Sequence, residues 1–239
     1  MKLLLYLLLA PLPSLIWLAF YLRKDRHPEP NRMVIKIFLL GVLMVPLAGF
    51  LEYGAGFLID RLSLVNKIAI LVISFAFIEE ILKYAVVKFG VLKNPEFDEP
   101  VDSMIYLIIA ALGFAAAENI WLLSRALPGD IQIGPAVEFI TARFLGATFL
   151  HALASAIVGY FLAASLLISS KIRKIFVTGG LIGATILHSV FNYIIILSDQ
   201  GKITVSERNF YLVILLLGMA IIVSWMFKRV NKYRSTCKI

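Results

Sequence analysis

Charged residues are scarce in this sequence. Asp, Glu, Lys and Arg make up 16% of its 239 residues, whereas 61% of the residues are hydrophobic. Because about a quarter of the residues in soluble domains are charged, this composition excludes an ordinary soluble domain and indicates a polytopic membrane protein. At about 20 residues per crossing, the chain has room for roughly seven membrane spans and for no separate soluble domain.

Cysteine is nearly absent as well, since Cys237 is the only one in the chain. A single thiol excludes an intrachain disulfide and a cysteine-based metal site. The sequence also lacks internal repeats and a Gly-rich phosphate-binding loop. Its net charge of +8 does not indicate a nucleic-acid partner, because the basic residues lie at the ends of apolar runs, where membrane topology places them.

Long apolar runs predict an all-α helix bundle that forms a single integral-membrane domain over residues 1–239. We place the spans at about 3–22, 34–57, 66–88, 103–127, 140–168, 174–197 and 208–227. The first run lacks the cleavage site of a signal peptide, so we expect it to be retained. Alternate connecting segments carry fifteen and seven Lys or Arg residues. The positive-inside rule therefore predicts an outside N-terminus and a cytoplasmic C-terminus in the cell membrane.

Ionisable residues stand inside four consecutive predicted spans, where each is costly unless it is paired or functional. The candidate site residues are Glu79, Glu80 and Lys83 in the third span, Glu118 in the fourth, His151 in the fifth, and His188 with Asn192 in the sixth. A rise of about 1.5 Å per residue places the ionisable groups near the middle of the membrane, with Glu118 and His188 towards the outer side. We therefore predict a four-helix catalytic core over residues 66–197.

These residue types suit hydrolysis by activated water, and two mechanisms remain open. In the first, two histidines and a glutamate hold a zinc ion while another glutamate acts as general base. The candidate metal ligands are Glu80, Glu118, His151 and His188. In the second mechanism no metal takes part: a buried glutamate activates water directly, and a histidine with Asn192 stabilises the oxyanion. Lys83 is the charge partner of the Glu79/Glu80 pair in both.

Other functions use similar residues. Intramembrane carboxylates and histidines also form ion relays, so an ion-coupled transporter is an alternative, although the chain shows no repeat of broken helices. Haem ligation by His151 and His188 is another. A non-catalytic membrane scaffold or chaperone would need only a buried ion-pair network. Glu52, near the outer end of the second span, is expected to be an interfacial charge.

Several ordered motifs resemble those of the PrsW family of intramembrane proteases. The family's EExxK motif stands at Glu79 to Lys83, its cytoplasmic EPxD link at Glu99 to Asp102, its FxxxEN motif at Phe114 to Asn119, its lone histidine at His151 and its final HxxxD/N motif at His188 to Asn192. The resemblance covers most of the chain after the first two spans. The family shares a clan with the CAAX-processing glutamate proteases and with a structural subunit of gamma-secretase.

The resemblance implies an intramembrane peptidase and a class of substrate. The expected substrate is a single-pass membrane protein, typically an anti-sigma factor, cut at site 1 on or near its extracytoplasmic side. Two positions depart from the family's usual pattern. Ser103 stands where Gly is frequent, and Asn192 stands where many members have Asp. The second change removes an acid, so we expect a supporting role for Asn192.

Overall fold

The computed structural model describes residues 7–24, 27–62, 66–126, 133–166 and 170–232, and no residue in these ranges belongs to a strand. The helices of this part are α1 Leu12–Leu22, α2 Asn31–Arg61, α3 Lys67–Gly90, α4 Asp102–Ala126, α5 Ile133–Leu145, α6 Ala147–Leu166, α7 Ser170–Asp199 and α8 Val205–Val230. The predicted all-α fold is confirmed. Cys237 and the first residues of the predicted first span lie outside the described residues.

Two of the helices, α5 and α6, meet at Gly146. The Gly146 amide still donates to the Ala142 carbonyl at 2.9 Å, so hydrogen bonding continues across the junction. Counted as one helix, α5 and α6 bring the total in the described ranges to seven. The prediction of one unbroken span at 140–168 missed two features: the helix begins at Ile133, and it is interrupted five residues before His151.

Five of these helices are long and apolar enough to cross a membrane: α2, α4, the combined α5 and α6, α7 and α8. Helix α3 has 24 residues, which span about 36 Å and also suffice for a crossing. Its three central charges lower its hydropathy. Helix α1 belongs to a shorter apolar segment, Leu7–Leu22. The prediction of a multi-pass membrane protein is confirmed, while the side on which each terminus lies stays a prediction.

Helix α4 is the centre of the bundle. It packs against α2 and α6 along much of its length, and also against α1 and α3. Glycines make the closest approaches possible: a Cβ atom on Gly113 would collide with the Phe38 carbonyl of α2, and one on Gly159 of α6 would lie 2.6 Å from the Met104 Cα. Membrane helices depend on small residues for close packing, because lipid provides no hydrophobic force that drives helices together.

The EPxD link orders the start of α4. Asp102 Oδ2 accepts the amides of Asp98 at 2.9 Å and of Glu99 at 2.7 Å, and these two bonds close the connection from α3. One turn later, the Tyr106 hydroxyl donates to Glu29, which precedes α2. Asp102 is 2% exposed. The Asp102 carboxylate therefore has a structural role. It belongs to the first residue of α4, sixteen residues before Glu118.

Replacement of Gly113 by Ala tests this packing. We expect G113A to lower the thermal unfolding midpoint of the detergent-solubilised protein by several degrees, because overpacking against a helix backbone typically costs about 1–3 kcal/mol. Gly179 in α7 is the matched control, since a Cβ atom there meets nothing within 4 Å. G179A should leave the midpoint unchanged or raise it. Equal midpoints for the two variants would contradict the close α2–α4 contact.

Candidate active site

Helix α3 brings three charged side chains into the interior of the bundle. Glu79, Glu80 and Lys83 are 7%, 1% and 0% exposed. The Lys83 Nζ donates to Glu80 Oε1 at 2.8 Å and to Glu79 Oε2 at 3.3 Å. It also lies 4.8 Å from the centre of the Phe114 ring. An unpaired buried charge would cost several kcal/mol, and these contacts offset that cost. Lys83 thus pairs with both carboxylates, as expected for the charge partner of the Glu79/Glu80 pair.

His188 of α7 completes one side of this cluster. Its Nδ1 lies 2.9 Å from Glu80 Oε1, and its Nε2 lies 4.0 Å from Glu79 Oε2. An ionised carboxylate only accepts hydrogen bonds, so the partner assigns the ring proton to Nδ1. In the tautomer with this proton, the lone pair is on Nε2, which lies towards Glu79. Carboxylates orient metal-binding histidines in this way.

His151 of α6 has the corresponding arrangement on the other side. Its Nε2 lies 3.1 Å from Glu118 Oε2, and its Nδ1 lies 2.7 Å from the Lys83 Nζ and 3.7 Å from Glu79 Oε2. An ammonium group has only donors, so Nδ1 accepts from Lys83 and Nε2 donates to Glu118. The lone pair of His151 is therefore also on the nitrogen that faces Glu79.

Three buried donor groups thus converge. Glu79, His151 and His188 offer ligand atoms that all lie within 4.8 Å of one another. Ligands about 2 Å from a shared tetrahedral ion lie roughly 3.3 Å apart, so the three groups need to approach one another by up to about 1.5 Å to bind one. Two histidines and a glutamate are a ligand set of catalytic zinc sites. A metal ion here requires Lys83 to withdraw from His151 Nδ1, because one lone pair cannot serve both cations.

The predicted ligand set differs from this group in its carboxylate. The sequence predicts Glu80 and Glu118 as ligands with the two histidines, whereas the structure places Glu79 among the converging atoms. Glu80 and Glu118 contact the nitrogens of His188 and His151 that point away from Glu79. On a helix, adjacent glutamates project in directions about 100° apart. The EE dipeptide therefore did not show which carboxylate faces the histidines.

Arg143 is a site residue that the sequence analysis missed. Its guanidinium forms an ion pair with Glu118, and its Nε donates to Asn119 Oδ1 at 2.5 Å. Asn119 in turn donates to Thr148 Oγ1 at 3.1 Å. With the span placed at 140, Arg143 counted as a charge at the membrane surface. Because the helix begins at Ile133, Arg143 instead lies eleven residues into it, where a lone cation needs a partner.

The remaining polar residues differ in their distance from the cluster. The Ser155 hydroxyl, one turn after His151, donates to Glu80 Oε2 at 3.3 Å. Asn192 is half-buried one turn after His188 and forms no side-chain hydrogen bond with any residue of the described ranges. Glu52, expected at the interface, is half-buried and close enough to Glu79, Glu118, Lys83 and His188 to interact electrostatically with them. The site therefore extends to α2.

Comparison with known proteins shows the family of the chain. The model of a family described as the PrsW family of intramembrane metalloproteases matches residues 29–226. The chain belongs to this family. The match includes α2 and most of α8, so it extends further than the motifs alone. This PrsW-family chain is therefore an intramembrane protease. Its cluster of Glu79, His151 and His188 suits the family's description as metalloproteases.

Individual relatives support the assignment over most of the length. Protease PrsW of Geobacillus kaustophilus is 31% identical over 181 residues, which cover 76% of this chain and 75% of the relative. Protease PrsW of Bacillus subtilis is 30% identical over 77% of this chain and 79% of its own length. Protease PrsW of Clostridioides difficile is 28% identical over 97% and 92% of the two chains. No solved structure matches the chain.

Arg143 provides a test of the site geometry. We expect R143Q to reduce proteolysis by about ten- to a hundredfold, because Glu118 then loses the partner that fixes it against His151. R143K should recover part of the activity, since it restores the charge without the bond to Asn119. The matched control is R125Q at the end of α4, where the guanidinium stacks on Trp121 instead. The measurement is cleavage of a reporter substrate at equal membrane abundance, and equal rates for R143Q and R125Q would contradict the assignment.

Proposed function

We propose that this PrsW-family chain is a zinc-dependent intramembrane peptidase of the cell membrane that cuts a single-pass membrane protein. One observation supports it most: both histidines have one nitrogen held by a carboxylate, while the other faces Glu79. Structural ion pairs alone do not need two imidazoles whose second nitrogens both face one carboxylate. Catalytic zinc sites do, because the ligand nitrogens must be deprotonated and fixed in direction.

Each residue of the cluster has a role in this proposal. Glu79, His151 and His188 hold the metal, which when bound supplies an activated water and polarises the scissile carbonyl. Glu118 orients His151. Of the adjacent pair on α3, Glu80 is the carboxylate that does not bind the ion, so we assign it the role of general base.

The contacts of Glu80 support that role. Its Oε1 accepts hydrogen bonds from both His188 Nδ1 and the Lys83 Nζ, so the carboxylate is held in a fixed orientation beside the proposed metal ligands. Lys83 also balances the negative charge of the Glu79/Glu80 pair. Asn192 has a supporting role one turn from His188.

The metal-free mechanism uses the same cluster differently. Lys83 would stay between Glu79 and His151, where its ammonium already contacts both groups. Glu80 would then activate water without a ligand set beside it. Haem ligation does not fit, because the ring centres of His151 and His188 are 5.0 Å apart and in edge-to-face contact, which leaves no room for a porphyrin between them.

Depth supports a peptide bond within or at the edge of the membrane as the target. Glu79 lies twelve residues beyond Lys67, or about 18 Å along α3, and Glu118 lies sixteen residues beyond Asp102, or about 24 Å along α4. With α4 starting in the cytoplasm, as the positive-inside rule predicts, Glu118 lies towards the outer side. We therefore propose site-1 cleavage of an anti-sigma factor near its extracytoplasmic face, as the family resemblance implies.

The proposal predicts a coupled loss of zinc and activity in H188Q. The purified wild type in proteoliposomes should hold about one zinc per chain and cleave a single-pass anti-sigma substrate, and a chelator should abolish cleavage until zinc is restored. H188Q should hold little zinc and cleave at least a hundredfold more slowly. H27Q is the matched control because His27 is 75% exposed and pairs with Glu99 outside the cluster.

The outcomes separate the alternatives. Chelator-resistant cleavage that still needs Glu80 and His188 would establish the metal-free mechanism. A zinc-loaded protein that cleaves no single-pass substrate, while H188Q still supports the activity of partner proteins in cells, would favour the scaffold. Proton-coupled flux into the proteoliposomes that is lost in E80Q would favour the transporter.

Glu79 and Glu80 should differ when each is changed alone. E79Q removes a ligand, so we expect zinc stoichiometry and cleavage to fall together. E80Q keeps the three ligand atoms, so we expect zinc to remain at near-stoichiometric levels in saturating metal while cleavage falls by at least a hundredfold. Zinc content by elemental mass spectrometry and cleavage rate on the same samples make the comparison. Zinc loss in E80Q with retention in E79Q would reverse the two roles.

A further inference from the structure

A groove on the far side of the bundle from α3 has no part in the proposed chemistry. It lies between α1, the beginning of α6 and the end of α8, and its volume is about 370 Å³. Its wall is apolar and mostly aromatic: Trp17, Tyr21, Phe149, Val223 and Phe227 line it. The volume falls within the range of small-molecule pockets, and an apolar wall of this kind suits a hydrocarbon chain.

The mouth of the groove is basic. Lys24 follows α1, Lys228 lies in the last turn of α8 and Asn231 follows that turn, and all three line the same opening. The Lys24 Nζ lies 4.8 Å from the Phe20 ring, at the edge of the aromatic wall. Within the described ranges neither lysine has a carboxylate partner. Two ammonium groups and an amide donor at one opening suit a phosphate group, which is a strong acceptor with a full negative charge.

We propose that this groove binds one anionic phospholipid, with its phosphate between Lys24 and Lys228 and an acyl chain along Trp17 and Phe149. Charge complementarity at the mouth favours this occupant over a zwitterionic lipid, and the apolar wall beneath it suits the acyl chain. The predicted topology agrees, because it places the ends of α1 and α8 on the cytoplasmic face. Basic pockets between helices on that face are where anionic headgroups bind.

The groove wall is connected to the catalytic helices. Trp17 stacks on Phe149 at 4.2 Å between ring centres, and its Nε1 donates to the Phe144 carbonyl at 3.0 Å. Phe144 follows Arg143, and Phe149 precedes His151 by two residues. An acyl chain that packs on Trp17 and Phe149 therefore contacts the α5–α6 junction. The site residues Arg143 and His151 lie on either side of this junction. Lipid binding itself does not depend on the proposed peptidase activity.

Quenching of Trp17 fluorescence tests the proposal. In W121F/W225F, Trp17 is the only tryptophan, and the full-length protein is reconstituted in nanodiscs of phosphatidylcholine. A small fraction of lipid is replaced by phosphatidylglycerol or phosphatidylcholine with brominated chains. We expect brominated phosphatidylglycerol to quench with an apparent affinity at least fivefold higher, since each lysine near an anionic lipid contributes about fivefold.

Charge variants locate the effect. In the W121F/W225F background, K24Q/K228Q should reduce the ratio of the apparent affinities for the two brominated lipids to about one. K24R/K228R should keep the ratio of the unsubstituted lysines. The matched control is K88Q/K93Q, which removes two exposed lysines from the predicted cytoplasmic end of α3 and the link after it. Equal quenching by the two lipids before any lysine is changed would overturn the proposal. So would a preference that K88Q/K93Q removes and K24Q/K228Q does not, because that result indicates general surface charge.

Discussion

The burial of Lys83 is the constraint on which the rest of the structure depends. A fully buried ammonium needs partners in every direction, and it finds them in Glu79, Glu80 and His151, which come from two helices. Glu80 then holds His188 of a third helix, and His151 holds Glu118 of a fourth. The charge pattern of α3 thus fixes the order and rotation of α4, α6 and α7 around it. Changing one partner leaves the others with uncompensated charge.

Close packing stabilises one part of the bundle, and electrostatic contacts stabilise another. In the first half of α4, close contacts at Gly113 and Gly159 hold α2, α4 and α6 together, and the Asp102 carboxylate orders the link that precedes α4. Towards its other end, the polar cluster replaces that packing. The same division explains how the proposed activity is possible: a rigid, apolar frame holds the helices while Lys83, on a flexible stem, can yield its position to a metal ion. A lipid in the groove between α1, α6 and α8 would contact Trp17 and Phe149, which pack next to the α5–α6 junction at Gly146.

Much of this arrangement was predictable from the sequence. Because charge within a membrane is costly, the positions of Glu79, Lys83, Glu118 and the histidines predicted which helices form the site. They also predicted that these residues lie at a similar depth. The contact between Glu79 and the histidines was not predictable, because it depends on the rotation of α3, which hydropathy does not determine. Arg143 was missed because hydropathy placed the helix start seven residues too late.

X-ray absorption spectroscopy of the zinc-loaded protein tests the central claim most directly. The account predicts a four-coordinate zinc ion with two imidazole ligands and oxygen in the remaining positions, all about 2 Å from the metal. In H151Q, any zinc still bound should show a single imidazole. A six-coordinate oxygen shell, or a spectrum that keeps two imidazoles in H151Q, would contradict the assignment of His151, His188 and Glu79 as the metal-binding group.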